Sequence, residues 1–300
     1  MNFRDLEYLI ALEELKHFRK AADKCFVSQP TLSGQIKKLE EELNVQLMER
    51  SSRKVIFTPA GIDIVAKAKT ILLEAKSLKE IAKSHNEPMS GTLHIGLIPT
   101  VAPYLLPLII PTIKEAFPEL ELFLHENQTE TLIKLLEEGD LDCLMLAHLP
   151  GMENLNQLPL YDEPLELALS DKHAWSSQRQ INLEELSGEH VLMLADGHCL
   201  RDQAMGFCFA AGAIEDNSFK ATSLETLRHM ISAQNGLTLL PQLAIPLNRH
   251  QSGVKYIPFK EPAPKRQIIL LSRSNSARQV CFDKLAELVN KSVQARLDEY

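Results

Sequence analysis

"SQPTLSGQIKKLEEEL", Ser28 to Leu43, opens on small polar residues and then sets Leu32, Ile36, Leu39 and Leu43 on one apolar stripe. Ser28 suits a helix N-cap and Pro30 a first turn, so the spacing predicts a helix beginning here. Just upstream, "FRKAADKCFV" (18–27) predicts a shorter helix, with Ala21, Ala22 and Cys25 small enough for close approach. Before that, Leu6, Leu9, Ile10, Leu12 and Leu15 recur at helical spacing with acids between them. Two short helices joined tightly describe a helix-turn-helix, whose second helix presents its N-terminal side chains to base edges in the major groove. The candidates are Gln29, Pro30, Thr31, Leu32, Ser33 and Gln35, with Lys37 aimed at phosphate. "MERSSRKVIFTPAG" (48–61) adds a basic turn, Arg50, Arg53 and Lys54, as expected of a wing that grips the DNA backbone. On spacing alone, a three-helix protein-binding module is the alternative.

The bulk properties fit this start. A chain of 300 residues holds two or three domains, and 45% hydrophobic with 24% charged residues is ordinary for a globular protein. No apolar run reaches membrane-spanning length, and "MNFRDLEYLIALEEL" carries acids where a signal peptide is apolar. The expected location is the cytoplasm. The net charge of −8 is uneven: residues 1–86 carry 15 Lys/Arg against 12 Asp/Glu, so a modestly basic module heads an acidic chain. Five scattered cysteines with no CxxC pair do not form a secreted disulfide framework.

"FRKAADKCFVSQPTLSGQIKKLEEELNVQLMERSSRKVIFTPAG" (18–61) resembles the winged helix-turn-helix of LysR-type transcriptional regulators, with Asn44 in place of a usual Gly and Met48 of a usual Phe. From Thr58 to His85 nothing breaks a helix after Pro59 and Gly61. Ile64, Ala68, Ile71, Ala75, Leu78 and Ala82 alternate by four and three, a heptad seam suited to pairing two copies, or else a core-facing stripe. "NEPMSG" (86–91) then reads as a hinge.

Beyond it the pattern changes. "TLHIGLI", "ELELFLHE" and "LDCLMLAH" predict strands, alternating with helical "YLLPLIIPTIKEAF" and "ETLIKLLEEG". "LELALS", "HVLML", "LTLLP" and "RQIILLSR" predict further strands, "LETLRHMISAQNG" a helix ending on Gly236, and "VCFDKLAELVNKSVQARL" a closing helix. Such alternation implies right-handed βαβ units. The layout resembles the two-lobed, periplasmic-binding-protein-like effector domain of the same family. The expected fold is therefore α/β. A winged helix-turn-helix takes 1–58 and a linker and dimerisation helix 59–87. A regulatory domain takes 88–300, with lobe I at about 90–161 and 268–300 and lobe II at about 162–267. Thr100 and Thr129 fall at strand-to-helix turns, where ligands bind in such sheets, although helix capping explains a threonine there equally well.

"ADGHCLRD" (195–202) is polar, contains Gly197, and predicts passage from a strand into a helix. Cys25, Cys143 and Cys281 sit in apolar elements and read as packing thiols. Cys199 does not, and Cys208 follows nine positions later. That spacing is wrong for a metal pair, and nothing marks an oxyanion hole for a cysteine hydrolase. A helix N-terminus beside His198 and Arg201 is an electropositive setting that favours thiolate, the form that attacks peroxide. On one helix the two Cα atoms would stand roughly 13 Å apart, whereas a disulfide needs about 4.4–6.8 Å. Bonding them would require the helix to open.

"LMLADGHCLRDQAMGFCFAAGA" (192–213), "ATSLETLRHMI" (221–231) and "LTLLPQLAIP" (237–246) resemble the peroxide-sensing branch of that family. The resemblance implies a DNA-binding activator of antioxidant genes, not an enzyme. Cys199 would be oxidised by hydrogen peroxide and Cys208 would close a reversible disulfide. Thr100, Thr129, His198, Arg201, Asp202 and Arg266 would surround the reactive thiol, with Lys265 the neighbouring choice for the last. It further implies operator DNA, RNA polymerase, a dimer of dimers, a thiol reductant for reset, and neither metal nor cofactor. The alternative is a regulator answering to a small organic anion between the lobes, with structural cysteines.

Overall fold

The computed structural model describes residues 1–300 except 51–54, 85–87, 234–235 and 249–252, and the side chains of 50, 77 and 79–84. The chain divides into two compact units, Met1–His85 and Asn86–Tyr300.

In the first unit α1 (Phe3–Leu15), α2 (Phe18–Lys24) and α3 (Gln29–Leu43) enclose a core of Leu9, Leu12, Ala21, Leu32, Ile36 and Leu39. Ser28 caps α3: its Oγ accepts the Thr31 N–H at 3.3 Å, with Pro30 in the first turn. The second helix is shorter than its sequence predicts. It stops at Lys24, and Phe26 turns the chain with a φ of 55°. α3 ends on Asn44 at φ 50°, the left-handed position that Asn tolerates in place of Gly. A hairpin follows, β1 (Met48–Arg50) antiparallel to β2 (Val55–Phe57). The predicted basic turn at Arg53 and Lys54 lies outside the described residues, as does the Arg50 side chain. Gly61 is forced by packing, since a Cβ there would sit 2.0 Å from the Leu47 carbonyl oxygen. It lies early in α4 (Pro59–Ser84).

Along α4 the seam is graded. Ala68 is buried, Ile64 and Ala75 are half-buried, and Ile71 and Leu78 are exposed in this single chain. The Ala82 side chain, Asn86 and Glu87 lie outside the described residues, whereas Pro88, Met89 and Ser90 are half-buried.

The second unit is a nine-stranded sheet in two halves. Its elements are β3 (Gly91–Leu97), α5 (Ala102–Ala116), β4 (Leu120–Glu126), α6 (Thr129–Glu138) and β5 (Cys143–Ala147). Then come β6 (Leu155–Ser170), β7 (His190–Leu194), α7 (Cys199–Ala210), β8 (Ile214–Ala221), α8 (Leu224–Ser232), β9 (Leu237–Pro241), β10 (Val254–Pro258), β11 (Lys265–Arg273) and α9 (Gln279–Leu297). β6 runs through both halves. Its first part pairs with β11, in the order β4-β3-β5-β11-β6, and its last part pairs with β9 and β10. Within each half the helix-linked strands are parallel, β4 and β5 to β3, β8 and β9 to β7. Each half has its own core. One is built from β3, β5, β11, α5, α6 and α9, the other from β6's second half, β7, β9, α7 and α8.

Two strands are missing from the sequence-based reading, β8 and β10, and so is the first half of β6. α8 also stops at Ser232, four residues before Gly236. Among the described residues, no helix is long and apolar enough to cross a membrane.

Candidate functional site

The parallel strands aim their carboxyl ends at the seam between the halves. Thr100 follows β3, Thr129 follows β4, and His198 and Cys199 follow β7. Neither threonine caps a helix. Val101 and Gln128 hold the N-cap positions of α5 and α6 and make no side-chain cap bond. Capping therefore does not explain them.

Thr100 is buried with Arg266. The guanidinium donates Nη1–H to Thr100 Oγ1 at 2.9 Å and Nη2–H to the Thr100 carbonyl at 3.0 Å. It also donates Nε–H to Glu163 Oε2 at 2.8 Å, with Nη2 at 2.7 Å from the same oxygen. Arg266 and Glu163 face each other across β11 and β6, both side chains about 1% exposed. Glu163 Oε1 accepts the Leu243 N–H at 3.1 Å, which completes the carboxylate. Alternation along β11 decides between the two candidate cations: Arg266 and Ile268 point inward, while exposed Lys265 pairs with Asp162.

Across the seam, the backbone of Gly197 (φ 90°) runs against the Gln128 side chain, so close that a Cβ would lie 2.8 Å from Gln128 Oε1. The N-termini of α6 and α7 thus approach through Gln128 and Gly197. Thr129 Oγ1 is buried with no hydrogen-bond partner among the described residues. His198 is the N-cap of α7, and burial lowers its pKa from the ordinary value, so its ring stays neutral near pH 7.

Cys199 departs from expectation. The polar sequence around it suggested an accessible thiol, yet it is 6% exposed and belongs to the core of the first half. The reason is local. α7 leans across the seam, where Gln203 also reaches the His148 carbonyl at 3.3 Å. Leu200, Ala204 and Cys208 on the same helix pack instead into the core of the second half. Burial pushes the Cys208 thiol up to about 12. Both thiols are free and the helix between them is unbroken.

Arg201 and Asp202 also differ from expectation. The Arg201 guanidinium is shared among Glu215 (Nη2–Oε1, 2.8 Å), Asp196 (3.3 Å) and Asp202 (3.6 Å). Its charge is therefore largely balanced by carboxylates. The Asp202 side chain is 74% exposed and flanks that cluster from the solvent side. Glu163, Asp196, Glu215 and Gln128 were all missed in the sequence. Glu163, Glu215 and Gln128 have their partners on other elements, whereas Asp196 lies within the quoted stretch 195–202, five residues from Arg201.

On α3, Gln29, Pro30 and Thr31 are exposed, Ser33 and Gln35 are half-buried, and Lys37 is exposed beside Glu41. Leu32 is fully buried, so it holds the helix in place and is not a base contact. Among the described residues, no cluster of three or more His, Cys, Asp and Glu could hold a metal ion.

Residues 3–62 match the model of the bacterial regulatory helix-turn-helix protein, lysR family, and residues 86–294 that of the LysR substrate binding domain. The hydrogen peroxide-inducible genes activator of Dickeya chrysanthemi is 56% identical over 299 residues, covering 100% of this chain and 98% of the relative. The DNA-binding transcriptional dual regulator OxyR of Escherichia coli K12 is 54% identical over 299 residues, with the same coverage. Among solved structures, a full-length OxyR from Pseudomonas aeruginosa superposes with a TM-score of 0.77 at 33% identity, covering 96% of this chain and 94% of its own. The oxidised form of OxyR gives 0.65 at 50% identity, covering 70% of this chain and 99% of its own.

Proposed function

The chain belongs to the LysR family of bacterial regulatory proteins, and we propose that it is a DNA-binding activator of antioxidant genes that senses hydrogen peroxide through Cys199. One observation carries the reading. Two free thiols share α7, one seated in each core, with the first at the helix N-terminus in the seam. Cys199 is the first residue of α7, at the positive end of the helix dipole, a setting in which cysteines act as nucleophiles. The thiolate attacks one peroxide oxygen, the O–O bond breaks, and hydroxide leaves to be protonated as water. In this reading neutral His198 and the Thr129 hydroxyl would hydrogen-bond the peroxide oxygens, and Thr100, held by Arg266, would line the site. Cys208 gives up its proton and its thiolate attacks the sulfenic sulfur; the S–O bond breaks, and the departing hydroxide takes up a proton as water, leaving the Cys199–Cys208 disulfide. A reducing thiol pair reduces the disulfide, is itself oxidised to a disulfide, and resets the protein.

Residues 1–58 would bind operator DNA through Gln29, Pro30, Thr31, Ser33, Gln35 and Lys37, with Arg50 and Arg53 on the wing. Residues 59–87 would pair two copies through exposed Ile71 and Leu78. Residues 88–300 would carry the switch, in a cytoplasmic dimer of dimers that recruits RNA polymerase. The full engagement of Arg266 by Glu163 and Thr100 argues against a small organic anion as effector, since it leaves that buried cation no free charge to offer.

The test is thiol trapping with mass spectrometry after stoichiometric peroxide, alongside DNA footprinting. Expected are a Cys199–Cys208 disulfide and an altered footprint, both absent in Cys199→Ser. A folded protein whose Cys199 stays reduced, or a Cys199→Ser variant that responds normally, would refute the proposal.

A further inference from the structure

Phe26 is 96% exposed and holds a φ of 55°. Both features disfavour phenylalanine. The left-handed region suits Gly and Asn, and a solvated ring leaves a large apolar surface in water. Among the described residues of this unit nothing compensates either, and unfavourable local conformations of this kind gather at functional positions. The turn presenting the ring is well fastened. Phe26 N donates to the Asp23 carbonyl at 3.2 Å, Val27 N to the Ala22 carbonyl at 3.0 Å, and Ser28 caps α3 immediately after. The Phe26 backbone is therefore held at a fixed place just before the exposed first turn of α3.

Its surroundings indicate the partner. From residue 16 to residue 42, all described, no other large apolar side chain is exposed. A protein partner calls for a contiguous apolar patch. A single apolar group among polar ones matches the isolated apolar contacts made to DNA. We propose that Phe26 is a DNA-contact residue, seating its ring on the C–H surface of the operator, either a thymine methyl or a deoxyribose. This rests on the reading of α3 as the helix that enters the major groove.

The experiment uses the full-length protein and a duplex that the wild type selects from a random pool, with affinity measured across salt concentrations. Phe26→Ala should weaken binding about tenfold, equivalent to about 1.4 kcal/mol, with an unchanged salt slope, because an apolar contact releases no counterion. Lys37→Ala should instead lower the slope by about 0.9. Phe26→Leu should recover part of the loss, and melting temperature should match wild type in both Phe26 variants, since the ring makes no internal packing. Replacing each thymidine by deoxyuridine separates the two surfaces. A position where the change weakens wild type but not Phe26→Ala identifies a methyl contact, whereas equal responses everywhere assign the deoxyribose. The proposal falls if Phe26→Ala binds as tightly as wild type, alters the salt slope, or changes the oligomeric state in sedimentation. If the wild type selects no duplex at all, the reading of α3 fails with it, a result distinct from a selected duplex that Phe26→Ala binds normally.

Discussion

Cys199 and Cys208 lie on one unbroken helix but in different hydrophobic cores, the first packed with β3, β5 and α5, the second with β7, β9 and α8. Nine helical residues keep their Cα atoms roughly 13 Å apart. A disulfide cannot form until α7 unwinds and one thiol leaves its core. Peroxide should therefore cut amide protection across residues 201–208 by about tenfold or more, read by hydrogen exchange with mass spectrometry. In Cys208→Ser, Cys199 should reach the sulfenic acid with that protection intact. Full protection in the disulfide-bonded wild type would contradict the coupling.

Arg201 fastens the first turn of α7 to β8 through Glu215, both side chains mostly buried. A hydrogen bond between such charged groups is worth about 1.5–3 kcal/mol. If the pair breaks as α7 opens, Glu215→Gln should speed disulfide closure roughly tenfold once Cys199 is oxidised. Stopped-flow fluorescence with a quenched thiol assay separates that step from the peroxide step, whose rate should change little. An unchanged closure rate would mean that α7 opens with its first turn still fastened.

Burial raises the Cys208 pKa from 9.0 to about 12. The folded state thus favours the neutral thiol more than the unfolded state does. The sign follows by linkage: this contribution to stability is complete below pH 9 and is lost as pH rises toward 12. Urea midpoints should fall between pH 9 and 11 more steeply in wild type than in Cys208→Ser. At pH 7 a thiol raised so far by burial is held in its neutral form. Cys208 is thereby kept from attacking until it leaves its core, so its alkylation in Cys199→Ser should be far slower than that of the unfolded chain.

The pair of Arg266 and Glu163 ties β11 to β6 where the sheet passes from one core to the other. Removing one partner leaves a buried charge uncompensated, typically at about 3–5 kcal/mol. Glu163→Gln should lose that much in equilibrium unfolding. The double variant Glu163→Met with Arg266→Met should lose much less, since it buries no orphan charge. Equal losses would show that shape, not charge balance, dominates the site.

What was legible in the sequence was local. Ser28, Pro30 and the Leu32–Ile36–Leu39 stripe place α3 within a residue, because capping and periodicity act over one or two turns. Alternating strands and helices gave the α/β layout for the same reason. β8 was not legible: "IEDNSFKA" is a largely polar edge strand, held by β7 on one side. β6 was read only in its apolar second half, because its first half is covered by β11, more than 90 residues later. The site divides in the same way. Strand-to-helix turns located Thr100, Thr129 and Cys199, but Glu163 and Glu215 take their meaning from partners on other elements.

Gly34 occupies the middle of α3 on its exposed side, flanked by Pro30, Lys37 and Lys38, and a Cβ there would meet nothing within 4 Å. Glycine inside a helix is less favourable than alanine by about 0.5–1 kcal/mol. The fold gains nothing from its absence of a side chain, so the explanation lies in what approaches that face. If DNA does, the missing Cβ lets backbone and bases come close. Gly34→Ala should then raise unfolding stability by about 0.5–1 kcal/mol while weakening operator binding tenfold or more, measured by denaturation and anisotropy on the same preparation. A variant that is both more stable and equally tight would remove this face of α3 from the DNA interface.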